Sequence, residues 1–147
     1  MSSSAFHRLV GVVAGGAAAG MSCSETEPES QVAEVMGGIL GGLVGSLLPD
    51  FLEPATWWGH RGPAHSVTTL ALVGGSLAVA TGTAEKLGVP GCGSAHEALE
   101  EQISNFCERY SLSPRSKVFA RGIVKGLLAG YGTHLLMDST TPMGLPG

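Results

Sequence analysis

The chain reads as an all-α protein: a compact bundle of about five helices, several of them apolar and ridged with glycine, associated with a membrane. Three observations carry that reading. No stretch of useful length alternates polar and apolar residues as a half-buried strand must. Long apolar segments are instead broken by acidic clusters and by Pro and Gly, which punctuate helices. Finally, the 23 glycines gather inside the apolar segments and not in a Gly/Ser linker. An interior glycine costs a helix about 0.5–1 kcal/mol relative to alanine, so this placement needs a packing reason. Small residues four apart let helix backbones approach closely, the usual device for helix association in lipid. The ridges are Gly11/Gly15, Gly37/Gly41/Gly45, Gly38/Gly42 and Gly122/Gly126/Gly130.

The first helix is expected from about Ala5 to Gly20, with His7 and Arg8 at its start and no cleavage pattern of a signal peptide. Ser22 to Ser30 is polar and acidic, a loop. A second glycine-ridged helix follows from about Gln31 to Leu48, where Pro49 disfavours helical geometry at the residue before it and leaves Asp50 at a helix end. Phe51 to Ala64 carries Pro54, Gly59, Gly62 and Pro63 and reads as a loop. A third helix starts near His65 or Ser66. The uncharged run Ser66 to Ala84, 19 residues, is the only one that meets the roughly 18 residues of a bilayer span.

Lys86 to Gly93 is a Gly/Pro loop, and Ser94 with Glu97 has capping-box spacing. In the fourth helix Leu99, Ile103, Phe106, Cys107 and Tyr110 form one apolar stripe on an otherwise charged surface. The last helix begins at Ser113-Pro114, a capping serine before a first-turn proline, and runs to Met137 or Asp138. Runs such as Leu9 to Ser24 and Val35 to Pro49 are shorter than a span and also suit buried helices. The glycine ridges favour the membrane.

At 147 residues the chain has room for one domain, 1–147. A net charge of −4 without a basic face interleaved with aromatics excludes the usual nucleic-acid footprint. Cys23, Cys92 and Cys107 are odd in number and include no CxxC pair, so they read as free thiols.

Four of the five histidines precede or lie in apolar, glycine-rich segments: His7, His60, His65 and His134. Imidazole and carboxylate are common zinc donors, and their pairing beside helix ends is how a metal site is written. His134 and Asp138, four apart, share a helix face with Cβ atoms roughly 5–6 Å apart. Taken alone, that pair reads first as a structural contact and only second as a pair of ligands. His60 and His65 need a turn at Gly62-Pro63 to reach one point, Asp50 after Pro49 is ordinary turn chemistry, and His7 alone is weak. His96, beside Glu97, is set aside as a surface residue.

Phe6-His7-Arg8, Leu47-Leu48-Pro49-Asp50, His60-Arg61-Gly62-Pro63-Ala64-His65-Ser66 and Gly130-Tyr131-Gly132-Thr133-His134-Leu135-Leu136-Met137-Asp138, followed by Thr141-Pro142-Met143-Gly144-Leu145-Pro146, together resemble the YdjM-like family of inner-membrane-associated, metal-dependent hydrolases. That family is grouped with the all-helical zinc phospholipase C and P1 nuclease proteins. By motif position, the resemblance implies His7, Asp50, His60, His65, His134 and Asp138 as metal ligands. Many members read PDxD, whereas here Leu52 stands two past Asp50; a second carboxylate would have to come from Glu53. Residues 86–113 match no motif and read as a variable insertion carrying the amphipathic helix.

The resemblance therefore leads to a hydrolase of phosphoester or lipid-like ester bonds. It would hold one or two divalent ions, zinc first and manganese or iron after it, in a bacterial inner membrane. Its partners would be membrane lipid and a small-molecule or lipid substrate. Asp50 or Asp138 is the candidate general base, and Arg61 the candidate for holding a phosphate or stabilising charge in the transition state. Two alternatives stand beside this reading: a membrane-embedded metal-binding protein without turnover, and a helical bundle whose histidines are ordinary core residues.

Overall fold

A computed structural model describes residues 4–24, 27–53 and 63–140. Among them are six α-helices and no strand: α1 (Ser4–Met21), α2 (Pro28–Leu52), α3 (Val67–Ala80), α4 (Thr83–Lys86), α5 (Cys92–Arg109) and α6 (Pro114–Ser139), with a 3-10 turn at Pro63–His65 before α3. Local chemistry sets several boundaries. Pro28 and Pro114 occupy the first turns of α2 and α6, where a missing N–H costs nothing. Ser66 and Ser113 cap α3 and α6, each hydroxyl accepting the N–H three residues on. Gly82 and Gly91 enter α4 and α5 at φ of 69° and 79°, a region other side chains avoid.

The centre of the molecule is backbone packed on backbone. A Cβ added at Gly122, Gly126 or Gly130 of α6 would strike the carbonyl oxygen of Glu34, Gly38 or Gly42 of α2. One at Gly37, Gly41 or Gly45 would strike Phe119, Ile123 or Leu127 in return. These contacts rise together along both chains, so α2 and α6 run parallel. Gly11 meets Gly42 and Gly15 meets Gly38, so α1 runs antiparallel to them on the other side of α2's glycines. All four glycine ridges are thus used, and each excludes a side chain so that two helices can touch.

The consequence is an unusual interior. The largest fully buried side chains are Leu135, His65, His134, Glu34, Pro49 and Ser46, mostly polar. Large apolar side chains point outward instead, and on α2 Val32, Met36, Leu40, Val44, Leu47 and Phe51 form an exposed stripe. Lipid removes the cost of that exposure, and close backbone contact is what drives helix association there.

Four expectations need correction. Pro49 does not end α2; it lies buried inside a helix that continues to Leu52. Its ring deprives Gly45 of a helical donor, a loss tolerated where neighbouring helices cover the site. The run Ser66 to Ala84 does not form one helix, because Thr81 caps α3 after 14 residues and Gly82 turns the chain left-handed. The helix long and apolar enough to cross a membrane is α2, at 25 residues. Ser94 does not cap α5, which begins two residues earlier behind Gly91, and of the stripe on α5 Ile103 and Cys107 are buried while Phe106 and Tyr110 stay exposed.

Candidate metal centre

Because α1 opposes α2 and α6, the start of α1 meets the ends of the other two. His7, Asp50, His134 and Asp138, far apart in sequence, therefore arrive at one end of the bundle. The 3-10 turn before α3 adds His65. All three histidines are buried, and His65 is wholly enclosed.

Each imidazole is held by its Nδ1 side. His65 Nδ1 donates to Glu53 Oε2 at 2.9 Å, while Glu53 Oε1 accepts the N–H of Ala64 at 3.0 Å, so one carboxylate fixes both the turn and the ring. Tyr131 clamps the same turn, its hydroxyl donating to Ala64 O at 3.0 Å. His134 Nδ1 donates to Ser46 O at 2.7 Å, the carbonyl next to the one that Pro49 strips of its donor. A carboxylate or backbone carbonyl on the far ring nitrogen is the usual support of a metal-binding histidine, since it fixes the tautomer that leaves Nε2 with a lone pair.

Both Nε2 atoms then face the same two carboxylates. His134 Nε2 lies 3.4 Å from Asp50 Oδ1 and 3.5 Å from Asp138 Oδ2. His65 Nε2 lies 3.7 Å from each of the same two oxygens. A tetrahedral ion with bonds of about 2.1 Å requires donors about 3.4 Å apart. The separations fit a cation held among His65, His134, Asp50 and Asp138. In addition, the Nε2 atoms of His7 and His134 are buried without a hydrogen-bond partner, an expensive state for a polar atom that a cation relieves at His134.

His7 stands apart from the other donors. Ser46 O can only accept, so His134 Nδ1 carries its proton, and His7 Nδ1, 3.0 Å away, faces it as an acceptor. The proton of His7 then sits on Nε2, directed at Asp138 Oδ1 at 3.9 Å. That separation is too long for a hydrogen bond, so His7 stands beside Asp138 without being bonded to it. His7, His134 and Asp138 are nonetheless close enough to share an ion of their own once that proton leaves.

Among the sequence candidates, Asp50, His65, His134 and Asp138 converge and His7 adjoins them. His60 and Arg61 lie outside the described residues. Glu53 spends both oxygens on His65 and Ala64, so the second carboxylate beside Asp50 is Asp138. His96 is not a plain surface residue: it is half-buried, its Nδ1 enclosed, and it lines a polar cavity with Glu85, Glu100, Arg121 and Lys125 at the opposite end of the bundle. Sequence reasoning missed the supporting role of Ser46, a carbonyl with no side-chain signature. It also passed over Glu34 and Lys125, whose Oε1 and Nζ meet at 2.6 Å in that opposite end. The available signal was an acid and a base inside glycine-ridged helices, Glu34 just before the ridge of α2 and Lys125 within that of α6.

An all-α bundle joined through glycine, apolar outside and carrying a His/Asp cluster at one end, defines a class of membrane protein with a place for a cation. The family model described as YdjM inner membrane protein matches residues 1–146, and the chain belongs to that family. No curated protein and no solved structure matches it.

Proposed function

We propose that the chain is a metal-dependent hydrolase of phosphoester or lipid-like ester bonds, with His65, His134 and Asp138 holding a divalent ion, zinc first, and Asp50 at its solvent edge beside the position left open for water. The observation that supports this most is the pair of imidazoles anchored through Nδ1 while both Nε2 atoms face the same two carboxylate oxygens. A bound divalent ion would supply Lewis acidity, lowering the pKa of a coordinated water to about 7 in the best-studied zinc case.

The protein's own groups divide the remaining work. Glu53 and Ser46 hold the two rings so that no reorganisation is needed when substrate arrives. Asp50, with 47% of its side chain exposed, is the edge of the centre that solvent and substrate reach and is the group placed to take a proton from the attacking water. Asp138, 14% exposed and beside His7, stays inside as the anchoring carboxylate.

Elemental analysis of protein purified without chelator, combined with hydrolysis assays on generic phosphomonoesters and phosphodiesters, tests the proposal. Stoichiometric zinc, manganese or iron is expected in the wild type and in His96→Ala. Its loss is expected in His65→Ala, His134→Ala and Asp138→Ala, with activity lost in parallel. Equal metal retention in all four variants would contradict the site. Metal with no turnover in wild type would favour the alternative of a metal-binding membrane protein, for which the enclosure of His65 and His134 also speaks.

A further inference from the structure

The two ends of the bundle differ in more than chemistry. Of the seven Lys and Arg among the described residues, six (Lys86, Arg109, Arg115, Lys117, Arg121 and Lys125) belong to the end away from the histidines. Arg8 alone lies at the histidine end. The six are placed there by contact as well as by chain order: Lys117 donates to Ser104 and Arg121 to Glu100, which fastens α5 to the first half of α6, and Lys125 reaches Ser22 O at the end of α1. Arg115 pairs with Glu29 at the start of α2.

Between these ends runs the apolar stripe of α2. From Val32 to Phe51 it covers 19 steps, about 28 Å at 1.5 Å each, against about 30 Å for the hydrocarbon layer of a bilayer. Its upper limit coincides with the metal centre, since Phe51 follows Asp50 and is 79% exposed; Phe6 and Leu136 are exposed apolar neighbours of His7 and His134 on the other two helices. Its lower limit lies beside Glu34 and the basic end.

We infer that α2 crosses the bilayer with the basic end in the cytoplasm, so that the metal centre opens at the membrane surface facing away from it. Two physical facts combine in this. The stripe matches the hydrocarbon in length, so that lipid can cover the whole of it. Lys and Arg near span ends are retained on the cytoplasmic side, whereas the glutamates that accompany them here contribute little to orientation. The occupant of the apolar face is thus lipid, and the headgroups level with Asp50 are those of the outer leaflet. This conclusion concerns placement alone and holds whether or not the centre turns over a substrate; if the proposed hydrolysis is correct, its substrate is an amphiphile of that leaflet.

Accessibility of single cysteines to a membrane-impermeant maleimide tests it in the full chain. The background carries Cys23→Ser, Cys92→Ser and Cys107→Ala. Ser139→Cys and Thr140→Cys report the metal end, and Glu101→Cys and Gln102→Cys the basic end; all four positions are exposed. In intact spheroplasts of a bacterial host, labelling at 139 and 140 is expected, with none at 101 and 102 until the membrane is permeabilised. The reverse pattern would overturn the orientation. Labelling at both ends of intact spheroplasts, or at neither, would overturn the crossing. Two positions at each end guard against one variant failing to insert, and metal content measured in the same preparations keeps this result separate from the hydrolase proposal.

Discussion

The three packed helices carry one buried polar cluster at each end, and the two are resolved in opposite ways. At the lower end Glu34 and Lys125 face each other, Lys125 donates a further bond to Ser22 O, and Arg121 lies 3.9 Å from the remaining oxygen of Glu34. Charge there is compensated within the protein. At the upper end the imidazoles are satisfied on one side only, and their other nitrogens converge with two carboxylates. Both clusters occupy the same α2–α6 seam: Glu34 backs onto Gly122 just as Ser46 backs onto His134, the same 88 residues apart. The lesson is that burial of polar groups does not by itself mark a site. What distinguishes the upper end is donor capacity aimed at a common point and not spent on a neighbour.

The most damaging way to break the comparison is to remove the seam both clusters share. Gly41→Leu drives a side chain into the backbone of α6 at Ile123 and Leu127. Overpacking costs about 1–3 kcal/mol where side chains can adjust, and backbone cannot. Loss of the folded monomer in detergent is expected, read by size exclusion and circular dichroism; a folded, metal-loaded variant would show that the close approach is dispensable.

Next in size is Lys125→Met, which leaves Glu34 buried beside only a distant Arg121. Breaking a buried pair on one side costs about 3–5 kcal/mol. Thermal unfolding in detergent should show that loss, and the double variant Lys125→Met with Glu34→Gln should regain most of it, since a neutral pair of similar volume leaves no uncompensated charge. Metal content per folded molecule should stay at the wild-type value in both, which sharpens the separation of the two ends.

The smallest expected effect on the fold is Glu53→Ala. It leaves the seam and the Glu34–Lys125 pair alone and removes the support of His65 and of the turn at Ala64. Loss of such a partner weakens metal binding about 10- to 100-fold. Competition with a chromogenic chelator should measure that drop while the metal-free melting temperature stays near wild type. Unchanged affinity would remove Glu53 from the centre.

Much of this was legible in the residues. Helix class followed from the absence of alternation and from apolar segments with breaks, and the use of the glycines followed from their spacing of four, because only a backbone contact repays repeated glycine in a helix. His134 and Asp138 shared a face by spacing alone. The reading failed where one residue carries two meanings. Pro49 signals a helix end in water, yet a proline ring can be housed inside a helix whose neighbours cover it. Ser66 to Ala84 satisfied a length count, but Thr81 and Gly82 stop the helix locally. His96 looked exposed beside a glutamate, because nothing local shows that α5 turns that face toward Gly82 and Lys125.

The sequence by itself determined the helices, the ridges along which they touch and the kinds of donor available, since those depend on spacing within one segment. Tertiary structure decided which donors meet. The antiparallel course of α1 brings His7 to Asp138, the parallel course of α2 and α6 brings Asp50 to His134, and the assignment of Glu53 to hold His65 depends on a turn between two helices. Such pairings are set by the direction and register of packed backbones, and no pattern within a single segment encodes them.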